Sequence, residues 1–162
     1  MTGPLDFGRL LGVLAEAGVR FIVVGGTAAL AHGAARLTQD VDVVYDRARD
    51  NLDRVVTALA PLAPYPRGAP EGLPFVWDTR TLENGCNFTL RTSAGPIDLL
   101  GEITGGGTYA ELLPSTLEVE LFGLAVRCLE LDKLIETKRA AGRPKDFEAI
   151  AELEALLDER QA

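Results

Sequence analysis

Two aspartates one residue apart, Asp40 and Asp42, stand in the segment Asp40-Val41-Asp42-Val43-Val44-Tyr45-Asp46, which otherwise has the composition of a buried strand. Alternate side chains of a strand share a face, so both carboxylates point the same way, about 7 Å apart along the chain. Like charges on one face repel, and carboxylates removed from water are costly. A chain that keeps both either leaves them solvated on an edge strand or supplies a cation. Hard oxygen ligands suit Mg2+, which uses one or two carboxylates together with waters and phosphate oxygens.

Upstream, Arg20 to Val24 reads as a short apolar strand closed by Gly25 and Gly26. Thr27 to Gly33 reads as one or two helical turns, with Thr27 as N-cap and Gly33 as stop. Glycines lack Cβ, so the backbone can approach an anion, and the free N–H groups of a first helical turn point at it. Thr27 can add its hydroxyl. Taken alone, a glycine pair is equally the mark of a tight turn. Downstream, Asp98 is the one acid in the apolar run Ile97 to Leu100, a strand suited to lie beside Asp40 and Asp42. Three carboxylates can hold two metal ions about 3.5–4 Å apart, one activating an attacking oxygen and one steadying the leaving group. Asp98 could also serve as base for an incoming hydroxyl, or simply cap a turn after Pro96.

The rest of the chain supplies the frame. A helix is expected over residues 5–17, an amphipathic helix over 48–62 with Leu52, Val55, Val56 and Leu59 on one face, and a proline- and glycine-rich loop over 61–74. Strands are expected at 75–78, 86–92 and 96–101, and a hairpin over 117–130 turning at Phe122-Gly123. Two helices close the sequence, at 130–142 and 147–160, joined by the connector Arg143 to Asp146. This order predicts an α/β (α+β) mixed sheet with helices packed on it and two C-terminal helices. The 162 residues read as one domain, with a core over about 5–129 and a helical part over about 130–160.

A formal net charge of −8 makes the chain a poor general binder of nucleic acid. Cys86 and Cys128 match no metal spacing and read as core thiols of a reducing cytoplasm. The N-terminal stretch does not read as a signal peptide, and no window approaches a membrane span.

Gly25, Gly26 and Thr27, then Asp40 and Asp42, then Asp98, resemble the nucleotidyltransferase superfamily of DNA polymerase beta: a GG or GS pair, a spacer, D-x-D, and a third Asp on a later strand. The stretch with His32, Gly33, Arg36 and Thr38, and the later one with Lys138, Arg143, Lys145 and Asp146, resemble the AbiEii-like nucleotidyltransferases of bacterial toxin–antitoxin systems. The resemblance runs from Phe21 to about Leu153. It implies Mg2+ on the three carboxylates, possible use of two ions, and transfer of a nucleoside monophosphate from an NTP to a hydroxyl. The acceptor it implies is RNA (tRNA) or protein, with a cognate antitoxin as partner. Family toxins mostly carry a larger helical C-terminal part than the two helices expected here.

Lys138, Arg143 and Lys145 are candidates for the triphosphate, since a phosphate tail requires Lys or Arg. Against this stand a surface ion pair of Lys138 with Glu130 or Glu136, and Arg143 binding helix-end carbonyls. His32 reads as a local hydrogen-bond partner, Arg36 as a brace for the carboxylates, and Asp146 as an acid favoured at a helix N-terminus. Phe75 and Trp77 read as core, with base stacking as the other reading. Three functions compete: NMP transfer to RNA, protein or a small molecule; a non-catalytic nucleotide- or partner-binding module; and a Mg2+-dependent phosphohydrolase.

Overall fold

The computed structural model describes residues 3–162, so Met1 and Thr2 of the N-terminal stretch lie outside the described residues. Helix α1 (Phe7–Glu16) opens at Asp6, whose side chain accepts from the Arg9 N–H. Its spacing buries Leu10, Leu11 and Leu14 completely, each worth about 1.5–3 kcal/mol by the apolar area removed from water.

Strand β1 (Phe21–Val23) leads into α2 (Gly25–Ala31), and β2 (Val41–Tyr45) into α3 (Arg49–Leu59). Then come β3 (Tyr65–Pro66), α4 (Thr79–Asn84), β4 (Phe88–Thr92) and β5 (Gly95–Leu100). A two-residue pair, β6 (Glu102–Ile103) and β7 (Gly107–Thr108), precedes α5 (Tyr109–Leu112). The hairpin of β8 (Thr116–Leu121) and β9 (Leu124–Leu129) is followed by α6 (Leu131–Ala141) and α7 (Pro144–Gln161).

The main sheet has the order β3-β4-β5-β2-β1-β9-β8. β2 lies inside it, antiparallel to β1 and parallel to β5, with Asp42 directly opposite Asp98. The Val41, Val43, Val44 and Tyr45 side chains of β2 are wholly buried, so Asp42 is carried by an interior strand and Asp40 stands at its entrance. The hairpin turns where expected: Phe122 and Gly123 both have positive φ, 52° and 75°, the backbone that matches strand twist. Stacking of Phe122 on Phe7, with ring centroids 5.3 Å apart, holds the phenylalanine there. α1 packs on α3 and β9, α2 on β2, β9 and α6, and α6 on α7.

Several expectations need correction. Residues 75–78 form no strand, because the edge beyond β4 is taken by β3. Phe75 and Trp77 turn inward against the core from irregular backbone, and the Trp77 indole N–H donates to the Val56 carbonyl at 3.0 Å. Asp78 then caps α4, a helix not foreseen. Arg20 and Val24 lie outside β1, and Asp40 lies just before β2. Thr27 is no N-cap: α2 begins two residues earlier, and Val24 precedes it without a side-chain cap. Helix α7 absorbs most of the supposed connector, since Pro144 fits a first helical turn.

Candidate active site

The register of β2 on β5 and the bend at Asp40 bring three carboxylates together. Asp40, Asp42 and Asp98 each offer an oxygen within 4.8 Å of the others, and they are the only such cluster of potential metal ligands among the described residues. All three are half-buried. Burial pushes the Asp42 carboxyl up to about 8, with Asp40 and Asp98 adding to the rise and the Gly26 N–H opposing it. Burial also raises Asp40, helped by Asp98 and opposed by Arg67 and Lys145. Such a set of hard oxygen donors, short of positive charge, fits a divalent cation.

The glycine pair touches this cluster directly. A Cβ on Gly25 would lie 2.6 Å from Asp42 Oδ2, and one on Gly26 would lie 2.6 Å from Thr38 Oγ1. Gly25 also has φ +57°, a conformation glycine adopts without steric cost. The Gly26 N–H donates to Asp42 Oδ2 at 3.2 Å. Thr27 is fully buried. Its hydroxyl accepts from the Asp42 N–H at 3.1 Å and approaches the Asp40 carbonyl at 3.4 Å. Thr38 Oγ1 donates to that same carbonyl at 3.0 Å. Two threonine hydroxyls therefore clamp the backbone that carries the acidic pair, and Thr27 faces the strand.

A groove of about 730 Å³ runs past the triad between α2, β5 and the two C-terminal helices. Gly25, Gly26, Lys138, Arg143 and Lys145 line it along with the triad. Lys138 is substantially desolvated, which lowers its pKa, while Asp146 and Asp42 pull it back up. One of its two expected competitors for an ion pair, Glu136, is engaged elsewhere, with Lys133 at 3.3 Å. Arg143 donates from Nε to Asp146 Oδ2 at 2.8 Å. Burial pushes Asp146 up, but Arg143 and Lys138 outweigh it and hold its carboxyl below the usual range. A smaller depression of about 340 Å³ between α6 and α7 contains no residue of the triad.

Arg36 does not brace the carboxylates. It pairs with Glu148 and ties the loop before β2 to α7. His32 is the local partner expected: its Nε2 lies 2.6 Å from the Leu129 carbonyl, and Arg160 reaches Nδ1 at 3.1 Å. Both thiols are free, with Cys86 half-buried and Cys128 buried. Burial raises the Cys128 thiol to about 12.

The residue that sequence reasoning missed is Arg67. It sits between Pro66 and Gly68 in the stretch read as a loop, yet its guanidinium reaches Asp98 Oδ1 at 2.8 Å and Asp40 Oδ2 at 3.4 Å. The available signal was the lone cation of a turn-rich segment whose one other charge is Glu71, and only chain folding shows where it points.

This architecture is the nucleotidyltransferase fold. The chain is similar to ANT(2″)-Ia, solved with adenylyl-2″-tobramycin, at 17% identity and TM-score 0.54 over 95% of each chain. It is similar to the lincosamide antibiotic adenylyltransferase LnuA, solved with lincomycin, at 14% identity and TM-score 0.61, over 95% of this chain and 99% of that one. A Thermotoga maritima protein assigned as a nucleotidyltransferase matches at 15% identity and TM-score 0.54, over 96% and 97% of the two chains. No protein-family model matches this sequence, and no curated protein matches it. Among the described residues no helix is long and apolar enough to cross a membrane.

Proposed function

We propose that this chain is a Mg2+-dependent nucleotidyltransferase that moves a nucleoside monophosphate from an NTP to a hydroxyl and releases pyrophosphate. The observation that carries the reading is the convergence of Asp40, Asp42 and Asp98 within 4.8 Å beside a groove with a cationic wall. Asp40, Asp42 and Asp98 would hold the divalent cation, which when bound supplies Lewis-acid polarisation of the phosphate. Gly25 and Gly26 leave room for the triphosphate, and Lys138 and Lys145 offset its charge from the α6–α7 side. Arg143 contributes there too, oriented by Asp146. Asp98 accepts the proton of the attacking hydroxyl. The new bond forms between that oxygen and the α-phosphorus, and the α–β bridging bond breaks. The whole chain acts as one catalytic unit, with residues 130–160 completing the groove.

For the acceptor, a small polyhydroxylated molecule is the better-supported class. The two antibiotic-bound neighbours match this chain over nearly their full length, and a net charge of −8 disfavours a nucleic acid. RNA or protein modification, as in an AbiEii-type toxin with an antitoxin, is the second reading, favoured by the motifs around His32 and Lys138. Incubation with each α-labelled NTP, Mg2+, total RNA, lysate protein and a panel of small hydroxylated compounds separates them. Label on a small molecule supports the first reading, and label on an RNA or protein band supports the second. Nucleotide binding with no labelled product would favour a non-catalytic binding module, and release of free NMP or phosphate a hydrolase.

A further inference from the structure

We propose that Arg67 is a built-in counter-cation of the acidic cluster, which positions Asp40 and Asp98 and limits how strongly the free protein draws divalent cations. The inference rests on reading the triad as a divalent-cation site. Arg67 is anchored independently of the carboxylates it meets. Its Nη2 donates to the Leu90 carbonyl at 3.0 Å and the Ile97 carbonyl at 3.2 Å, as well as to Asp98 Oδ1 at 2.8 Å. Leu90 and Ile97 are register partners on neighbouring strands β4 and β5, so two fixed sheet carbonyls set the guanidinium position. The carboxylates then align on it. Nη1 reaches Asp40 Oδ2 at 3.4 Å. The planar, fork-like guanidinium holds two acceptors in a fixed geometry, which a rotatable ammonium does not.

The charge balance gives the arrangement its consequence. With all three carboxylates ionised, as they would be when holding a cation, they carry three negative charges, and the one guanidinium bonded to them cancels one. What is left matches a single divalent cation. Lys138 and Lys145 bias Asp42 and Asp40 from a distance, but among the described residues Arg67 is the only cation hydrogen-bonded to the triad. The side chain is only 33% exposed, so water screens it weakly and its charge is felt across the cluster. A second cation is then drawn only when a triphosphate brings further negative charge.

The test is Mn2+ binding to the nucleotide-free protein, measured by titration calorimetry, alongside its melting temperature. R67Q is expected to bind Mn2+ about tenfold more tightly than wild type, to take up a second equivalent, and to melt lower than wild type without metal. R67K keeps the charge but loses the fork, so it should retain the wild-type stoichiometry. Unchanged or weaker Mn2+ affinity in R67Q overturns the proposal. If R67Q is unfolded without metal, refolding on addition of Mn2+ supports it and failure to refold overturns it. Mn2+ bound by neither wild type nor variant would remove the cation site itself, a different failure from wild-type binding that R67Q leaves unchanged.

Discussion

Strand β2 has an acid–arginine cluster at each end, and the two are balanced differently. Past its C-terminal end, Arg20 donates from Nε to Asp46 at 2.7 Å and pairs with Asp50 at 3.0 Å. There the bond to Arg20 holds the Asp50 carboxyl below its ordinary range, and the same acids raise the guanidinium. At the N-terminal end one arginine meets two of three convergent, half-buried acids, and burial drives Asp42 up to about 8. The first cluster lowers the energy of the folded chain by itself. The second is short of positive charge, and that deficit is what a metal–nucleotide complex would relieve. Paired charge marks structure here, and unpaired charge under burial marks the candidate site.

The sharpest way to break the contrast is to remove the deficit. Asp40→Ala with Asp42→Ala should cut nucleotidyl transfer by about 10³-fold or more, since a metal supplies several kcal/mol of transition-state stabilisation. Circular dichroism should show the fold intact, and residual transfer near wild type would take the chemistry away from this cluster.

Asp42→Asn should stabilise the metal-free protein while inactivating it. The folded pKa of about 8 lies well above the ordinary carboxylate range, so the fold prefers this group protonated. The penalty is absent below about pH 4, builds as pH rises, and is complete above about pH 8. Asparagine keeps an acceptor for the Gly26 N–H and never ionises. The expected gain is a Tm rise at pH 8 that disappears near pH 4. A gain independent of pH would point to packing instead.

Lys138→Ala should raise KM for NTP about tenfold with little change in kcat, as for a contact made equally in ground and transition states. Loss confined to kcat would place Lys138 on the reacting phosphate. The smallest effect is at the other end of β2. Asp50→Ala should lower Tm slightly at neutral pH and not at all well below pH 4, because a depressed carboxyl stabilises only while ionised. The shift should shrink in high salt and leave transfer untouched.

Asp40, Asp42 and Asp98 are legible in the sequence because each is an acid in or directly against an apolar run, and such a conflict is local. The hairpin at Phe122-Gly123 and the two terminal helices are legible for the same reason, in turn chemistry and period. The stretch from Pro61 to Asp78 is where local reading stops. Phe75-Val76-Trp77-Asp78 has the aromatic and β-branched composition of a strand, but a strand needs a free edge, and β3 holds the edge beyond β4.

By itself, the sequence determined which side chains carry charge into an apolar strand, where glycine permits close approach, and the α/β order of elements. Spacing along the chain suffices for these, because strand alternation and helix period act over a few residues. The tertiary structure alone decided that Asp42 faces Asp98 in register, that Thr27 binds the acidic strand's backbone, and that Arg36 ties down α7. It also brought Arg67 onto two strands' carbonyls and two carboxylates. Those contacts join residues far apart in the chain, and their geometry exists only once the sheet has set its order and register.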